Sequence, residues 1–140
     1  MKVIDGTNLI VGRVATQVAK EALLGETIAI VNCESMIITG DRKSILKSYQ
    51  VKQEIGDAFK GPFYPKMAQK YVKRVIRGML PYKQERGMKA YKRVKCYVGL
   101  PEEFKNNKLE TVQRADAKKL TTLKYITVNE LSKYFNKAVQ

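Results

Sequence analysis

The sequence predicts a single α/β domain in which helices layer against a sheet. Three observations carry that expectation. Strand-like and helix-like segments alternate, beginning with a strand, a helix and a strand within about the first thirty residues. The hydrophobic fraction, 44%, is that of a globular chain, and no repeat or low-complexity tract interrupts the pattern. At 140 residues the chain can bury roughly two-thirds of the surface its unfolded form exposes, so a core needs no covalent staple.

The elements follow in order. KVID (2–5) reads as a short strand. After the turn GTN, the segment GRVATQVAKEALLGE places Val14, Val18, Ala22 and Leu23 at helical spacing, with Gly25 suited to the position just past the helix end. TIAIVNC (27–33) is nearly continuous in hydrophobicity and rich in β-branched residues, as expected of a strand buried on both faces. Strand, helix and strand in this order make a βαβ unit, expected to be parallel. MIITG (36–40) is apolar but too short to assign by period. DRKSILKSYQVKQE reads as a second helix with Asp41 as its N-cap. Two glycines and two prolines make GDAFKGPFYP (56–65) a loop.

A third helix is expected after Pro65, with apolar positions Met67, Tyr71, Val72, Val75, Met79 and Leu80, and Pro81 stops it. A short helix over about Glu85–Lys92 and a strand over RVKCYVG (93–99) come next. Residues 102–140 read as a less regular extension of a core covering about 1–101, within one domain spanning 1–140. Inside the extension, Thr127 with Glu130 three residues on makes a capping-box pattern, and Val128, Leu131 and Phe135 share one helical face.

The chemistry the chain lacks narrows its function. It contains no histidine, which removes the commonest general base and metal ligand near neutral pH. Cys33 and Cys96 are the only cysteines and have no metal-ligand spacing, so they read as two reduced, buried thiols in strand-like runs, with a cytoplasmic location as the default. No apolar run approaches the ~18 residues of a membrane span. The start, MKVIDGTNLIVGR, meets an acid at Asp5 and has no apolar signal core, so no secretory leader is expected. The strand-to-helix turn DGTNLIVGRV invites a nucleotide reading, but Gly6 and Gly12 enclose five residues and Arg13-Val14 follows, which fits neither phosphate-loop pattern. An enzyme using that turn stays as a rival reading. A structural turn is the expectation, with no catalytic residue, no cofactor and no metal.

Charge is the strongest functional signal. The formal net charge is +14. Residues 1–59 carry seven bases and seven acids, whereas residues 60–99 carry twelve bases against the single acid Glu85. Such a field implies a polyanionic partner. On a helix, Lys66, Lys70, Lys73, Arg74 and Arg77 fall at i, i+4, i+7, i+8 and i+11, which places them on one face opposite the apolar stripe. The row continues as Lys83, Arg86, Lys89, Lys92, Arg93 and Lys95. Like charges at this spacing repel by a few tenths of a kcal/mol per pair, and no acid is interleaved to relieve them. Gly78 permits close backbone approach, Pro81 ends the helix and Gly87 allows a second sharp turn, so the cations line a corner suited to the bent phosphate paths of folded RNA. Arginines at 74, 77 and 86 can fork onto phosphates. Tyr64 and Tyr82 are candidates for base stacking, while Tyr71 belongs to the apolar stripe. No sequence-reading module is evident, which favours recognition of shape and backbone.

RVIRGMLPYKQERGMKAYKRVKCYVGLP (74–101) closely resembles the signature region of the universal large-subunit ribosomal protein family thirteen. VIDGTNLIVGRVATQVAKEAL (3–23) resembles its first strand and helix, and IVNCESMIITGDRKSILKSY (30–49) its second strand and the segment after it. The GPFYP insert and the GLP ending are similar to the archaeal and eukaryotic branch. The resemblance implies a three-layer α/β/α fold around a small mixed, mostly parallel four-stranded sheet, plus a C-terminal helix. It implies a non-enzymatic constituent of the large ribosomal subunit that binds ribosomal RNA, supports assembly, and touches neighbouring ribosomal proteins in the cytoplasm, with no membrane and no small-molecule substrate as partner. Carried over by position, RNA contacts fall on Arg74, Arg77, Gly78, Pro81, Lys83, Arg86, Gly87 and Lys89, with Gly40, Arg42, Lys43 and Lys47 as a second group. A nucleic-acid-binding or translation-regulating role away from the ribosome is the other alternative.

Overall fold

A computed structural model describes residues 1–137. The strands β1 (Lys2–Asp5), β2 (Ile28–Val31), β4 (Val94–Cys96) and β5 (Leu109–Glu110) form a sheet in the order β4-β2-β1-β5. Every pairing in it is parallel: Lys2 faces Ile28, Ile28 faces Val94, and Val3 faces Leu109. The antiparallel component is a separate ladder in which β3 (Ile37–Thr39) pairs with β6 (Tyr125–Thr127), Ile38 opposite Ile126. The MIITG segment is thus a strand whose partner lies in the C-terminal extension. The helices are α1 (Val11–Leu24), α2 (Arg42–Glu54), α3 (Ala68–Met79), α4 (Glu85–Arg93) and α5 (Val128–Lys137).

The three layers follow from strand alternation. Ile4, Ile28 and Ile30 point into the main core with Val14 and Val18 of α1, Val72 and Ile76 of α3, and Leu131 and Phe135 of α5. Val3, Ala29 and Val31 point to the opposite face, where Phe104 covers them from a single 3-10 turn and Tyr97 leans on its ring at 5.3 Å. The second cover is therefore far thinner than the first. All four residues of β2 are buried, as a central parallel strand requires. The extension completes this core, since Val112, Ala115 and Val128 join the main cluster.

Most local signals act as their chemistry predicts. Gly25 ends α1 at φ 111°, with its own N–H reaching Ala22 O and that of Glu26 reaching Glu21 O. Asp41 accepts from Ser44 N at 3.3 Å and caps α2. Thr127 accepts from Glu130 N at 3.2 Å, but the Glu130 carboxylate turns outward to Arg42 at 3.3 Å, so the capping box is half formed. Some placements differ from expectation: of the strand expected over 93–99 only Val94–Cys96 pairs, since Arg93 still belongs to α4 and the β2 pairing ends at Cys96. Cys33 lies past β2 in a one-turn 3-10 helix, because β2 runs out of paired partner after Val31. Both cysteines are free; Cys33 is buried, and the neighbouring Cys96 thiol together with burial pushes its pKa up, while Cys96 is only half-buried. Met67 and Met79, expected on the apolar face, are 47% and 42% exposed at the two ends of α3.

The DGTN turn is held by its own side chains and by Asn32. Asp5 Oδ1 accepts from Thr7 N at 3.1 Å, Thr7 Oγ1 at 2.7 Å and Asn32 Nδ2 at 2.9 Å. Burial raises the Asp5 pKa, but these hydrogen bonds favour the anion more strongly and leave it below its ordinary value. A depressed folded-state pKa stabilises the fold above the unfolded value and loses that contribution as pH falls through the folded one. Asp5→Ala is therefore expected to lower stability by about 1 kcal/mol at pH 7. The difference in urea midpoint from wild type should shrink below about pH 4. A gap that stays constant into the acid range would show that the carboxylate charge is irrelevant to the turn.

Candidate nucleic-acid interface

The predicted cationic face exists, with one change at its start. Helix α3 begins at Ala68, so Lys66 lies before it; the Lys66 carbonyl accepts from Ser132 Oγ of α5 at 2.7 Å. The extended backbone at Met67 is the reason: chain leaving Pro65 enters the helix only at the following residue. Within α3, Tyr71, Val72 and Ile76 are buried while Lys70 is exposed and Lys73, Arg74 and Arg77 are half-buried. Leu80 plugs into the core just past the helix and leaves Pro81, Tyr82 and Lys83 exposed on the turn. Gln84 N bonds back to Pro81 O at 2.9 Å, and α4 starts at the next residue.

Gly87 does not make a turn; it sits in the first turn of α4 and is buried. A Cβ there would overlap the backbone carbonyl of Pro81, so the glycine is what lets α4 lie flush against the end of α3. Gly87 and Ala90 form the buried face of α4, and Arg86, Lys89 and Lys92 project from the other side. The corner is therefore a rigid, closely packed joint with cations on its outer surface. Gly78, by contrast, is exposed, and a Cβ there would meet nothing within 4 Å.

The charges are largely uncompensated. Among the described residues of 60–99, only Lys89 makes an ion pair, with Glu85 at 2.7 Å. Aromatic rings take the place of acids. Arg77 Cζ lies 4.5 Å over Tyr82, Arg74 Cζ 5.2 Å over Tyr64, and Lys73 Nζ 4.8 Å over Tyr91. A ring face attracts a cation without consuming its N–H donors, so each guanidinium is held while its edge stays open. Each of the two tyrosines expected to stack on bases has an arginine over one face of its ring. Tyr71 packs in the core as expected, and its hydroxyl meets that of Tyr49 at 2.5 Å.

Other members of the predicted set are placed differently. Arg93 turns inward and gives Nη1 to the Ala22 carbonyl near the end of α1 at 3.2 Å. On α2, Arg42 is tied to Glu130, while Lys43 and Lys47 are exposed and have no ion pair among the described residues. Helix α2 buries none of its residues fully and reaches α3 through the Tyr49–Tyr71 contact. Arg13, Lys20 and Arg114 also come together, along a cleft between α1 and residues 111–114. Local pattern offers no signal for that grouping, because Arg13 Nη1 meets the Arg114 carbonyl across 101 positions of sequence.

A parallel α/β core carrying one cationic corner with a single internal counterion, Glu85, defines a small basic α/β protein. The chain belongs to the ribosomal protein L13 family, whose model matches residues 1–103. It is similar to the large ribosomal subunit protein uL13 of Methanosarcina barkeri, 47% identical over 133 residues that cover 94% of this chain and 95% of that protein. The uL13 of Methanocaldococcus jannaschii is 44% identical over 96% of both chains, and that of Methanopyrus kandleri is 46% identical over 93% of this chain and 83% of its own.

Proposed function

We propose that this protein is a structural constituent of the large ribosomal subunit that binds large-subunit ribosomal RNA through the α3–turn–α4 corner and supports subunit assembly. The observation that carries this reading is the shortage of internal counterions: across residues 60–99 one carboxylate faces twelve bases, and the folded chain brings no others to them within ion-pair distance among the described residues. Phosphates of RNA supply the missing anions. Lys70, Lys73, Arg74 and Arg77 on α3, Lys83 on the turn, and Arg86, Lys89 and Lys92 on α4 are the contacting cations. Lys43 and Lys47 on α2 form a second, smaller group, and Lys66 flanks the first. The exposed Gly78 lets a phosphate approach the helix backbone. By this reading the partners are ribosomal RNA and neighbouring ribosomal proteins in the cytoplasmic ribosome, and no catalytic step is involved.

A salt titration tests it. Engaging about six phosphates gives a log–log slope of affinity against salt of roughly −4 to −5. Binding of the purified protein to large-subunit ribosomal RNA fragments should show that slope, and the protein should sediment with large subunits from cell extract in moderate salt. A flat salt dependence, or a protein found mostly free of the subunit, would remove this function in favour of a role away from the ribosome.

A further inference from the structure

Arg13, Lys20 and Arg114 line an open cleft of about 1030 Å³ between α1 and the 111–114 segment, outside the corner described above. All three are exposed, and none makes an ion pair among the described residues. The cleft's single carboxylate, Glu21, is already engaged, since its Oε1 accepts from Lys2 Nζ at 3.1 Å and from Gln17 Nε2 at 2.9 Å. The net field in the cleft is therefore positive. The rest of its wall is uncharged, apolar at Leu24 and Val112 and polar at Thr16, Gln17 and Gln113, which offer hydrogen-bonding groups.

The cleft is continuous with the corner. Thr16 on the cleft wall lies with its hydroxyl 3.6 Å from Met79 Sδ at the last residue of α3. Two exposed helical glycines flank this seam, Gly12 one turn before Thr16 and Gly78 beside Met79, and neither would bring a Cβ within 4 Å of any neighbour. A glycine costs roughly 1 kcal/mol relative to alanine in a helix interior and less in the terminal turns, where these two sit. No packing reason is present for either, and together they leave a low surface leading from Arg77 to Arg13. The far wall is fixed, because Arg13 Nη1 holds the Arg114 carbonyl at 3.1 Å.

We infer that a strand of the bound RNA runs from the α3–α4 corner across the Gly78–Gly12 seam into this cleft, where Lys20 and Arg114 take its phosphates. The inference rests on the RNA-binding reading of the corner and extends it to a surface one wall of which belongs to the C-terminal extension. RNA suits the cleft better than an acidic peptide, because the cations continue the row of the corner without an intervening free carboxylate. Thr16, Gln17 and Gln113 on the wall also match 2′-hydroxyl and base-edge groups.

The test uses the full chain and a large-subunit ribosomal RNA fragment protected by the wild-type protein. Lys20→Gln/Arg114→Gln removes two charges from exposed side chains and leaves the Arg114 carbonyl in place. Its salt slope should become shallower by about 1.4–1.8, with affinity reduced several-fold at low salt. Hydroxyl-radical protection should disappear from one flank of the footprint and persist over the nucleotides that depend on Arg77. A wild-type slope and an unchanged footprint would overturn the cleft as an RNA path. So would unchanged RNA binding combined with lost retention of a neighbouring ribosomal protein, since the occupant would then be polypeptide. Arg77→Glu measured in parallel separates the two levels: loss there with none in the cleft variant overturns this inference alone, and loss in neither overturns the corner as well.

Discussion

Arg77→Glu should weaken binding to large-subunit ribosomal RNA fragments more than tenfold while leaving the chain folded. The side chain projects from the last turn of α3, half-buried, with the Tyr82 ring against it and no carboxylate within ion-pair distance among the described residues. A charged hydrogen bond to phosphate is worth roughly 1.5–3 kcal/mol, which alone corresponds to about 10- to 150-fold in affinity. Reversing the charge adds repulsion from the same phosphate. The fold loses less: an acid in place of a base at a helix C-terminus costs about 0.3–1 kcal/mol against the helix dipole. Arg77→Lys should retain part of the affinity, because the charge stays but the planar fork is lost. Tyr82 supplies a sharper check. If the ring acts by holding the guanidinium, Tyr82→Leu should cost about two- to fivefold in the wild-type background and nearly nothing once Arg77 is alanine. Additive losses would mean that the ring stacks on a base independently. Wild-type affinity in Arg77→Glu would take the corner out of the RNA interface.

Gly87→Ala carries the second large effect, and it acts on the fold. The added methyl group runs into the backbone carbonyl of Pro81, which no rotamer change relieves. Overpacking of this kind costs about 1–3 kcal/mol. For a chain of this size that lowers the melting temperature by roughly 3–12 °C. RNA affinity should fall with it, since α4 and its outward cations move away from α3. Gly78→Ala is the control: its Cβ enters open space, so helix propensity predicts a gain of up to about 1 kcal/mol and a slightly higher melting temperature. Two alanines nine positions apart on the same corner should thus move stability in opposite directions. Equal melting temperatures for Gly87→Ala and wild type would show that the joint is looser than described.

Much of this molecule is legible in its sequence. Helices α1, α3 and α5 have a strong 3.6-residue period, and a period reports which face is buried. The N-cap at Asp41, the glycine stop at Gly25 and the stop before Pro81 are local chemistry, visible in neighbouring residues. The crowding of cations into residues 60–99 needs only counting. Gly87 shows where such reading fails. Its neighbours suggest a turn, because a glycine's local sequence does not distinguish conformational need from close packing against a distant carbonyl. Spacing likewise puts Lys66 in the helical row, because periodicity does not mark where the first helical hydrogen bond closes.

Residue types and short spacings suffice for the α/β alternation, for the segregation of charge and for the segments that carry both. What each face meets is settled only in three dimensions. Folding pairs β3 with β6, places Tyr82 and Tyr64 against arginines, turns Arg93 toward the end of α1, and sets Arg114 beside Arg13. Those partners are brought together by burial of a shared core, a long-range balance of packing and chain entropy that no local window of sequence contains.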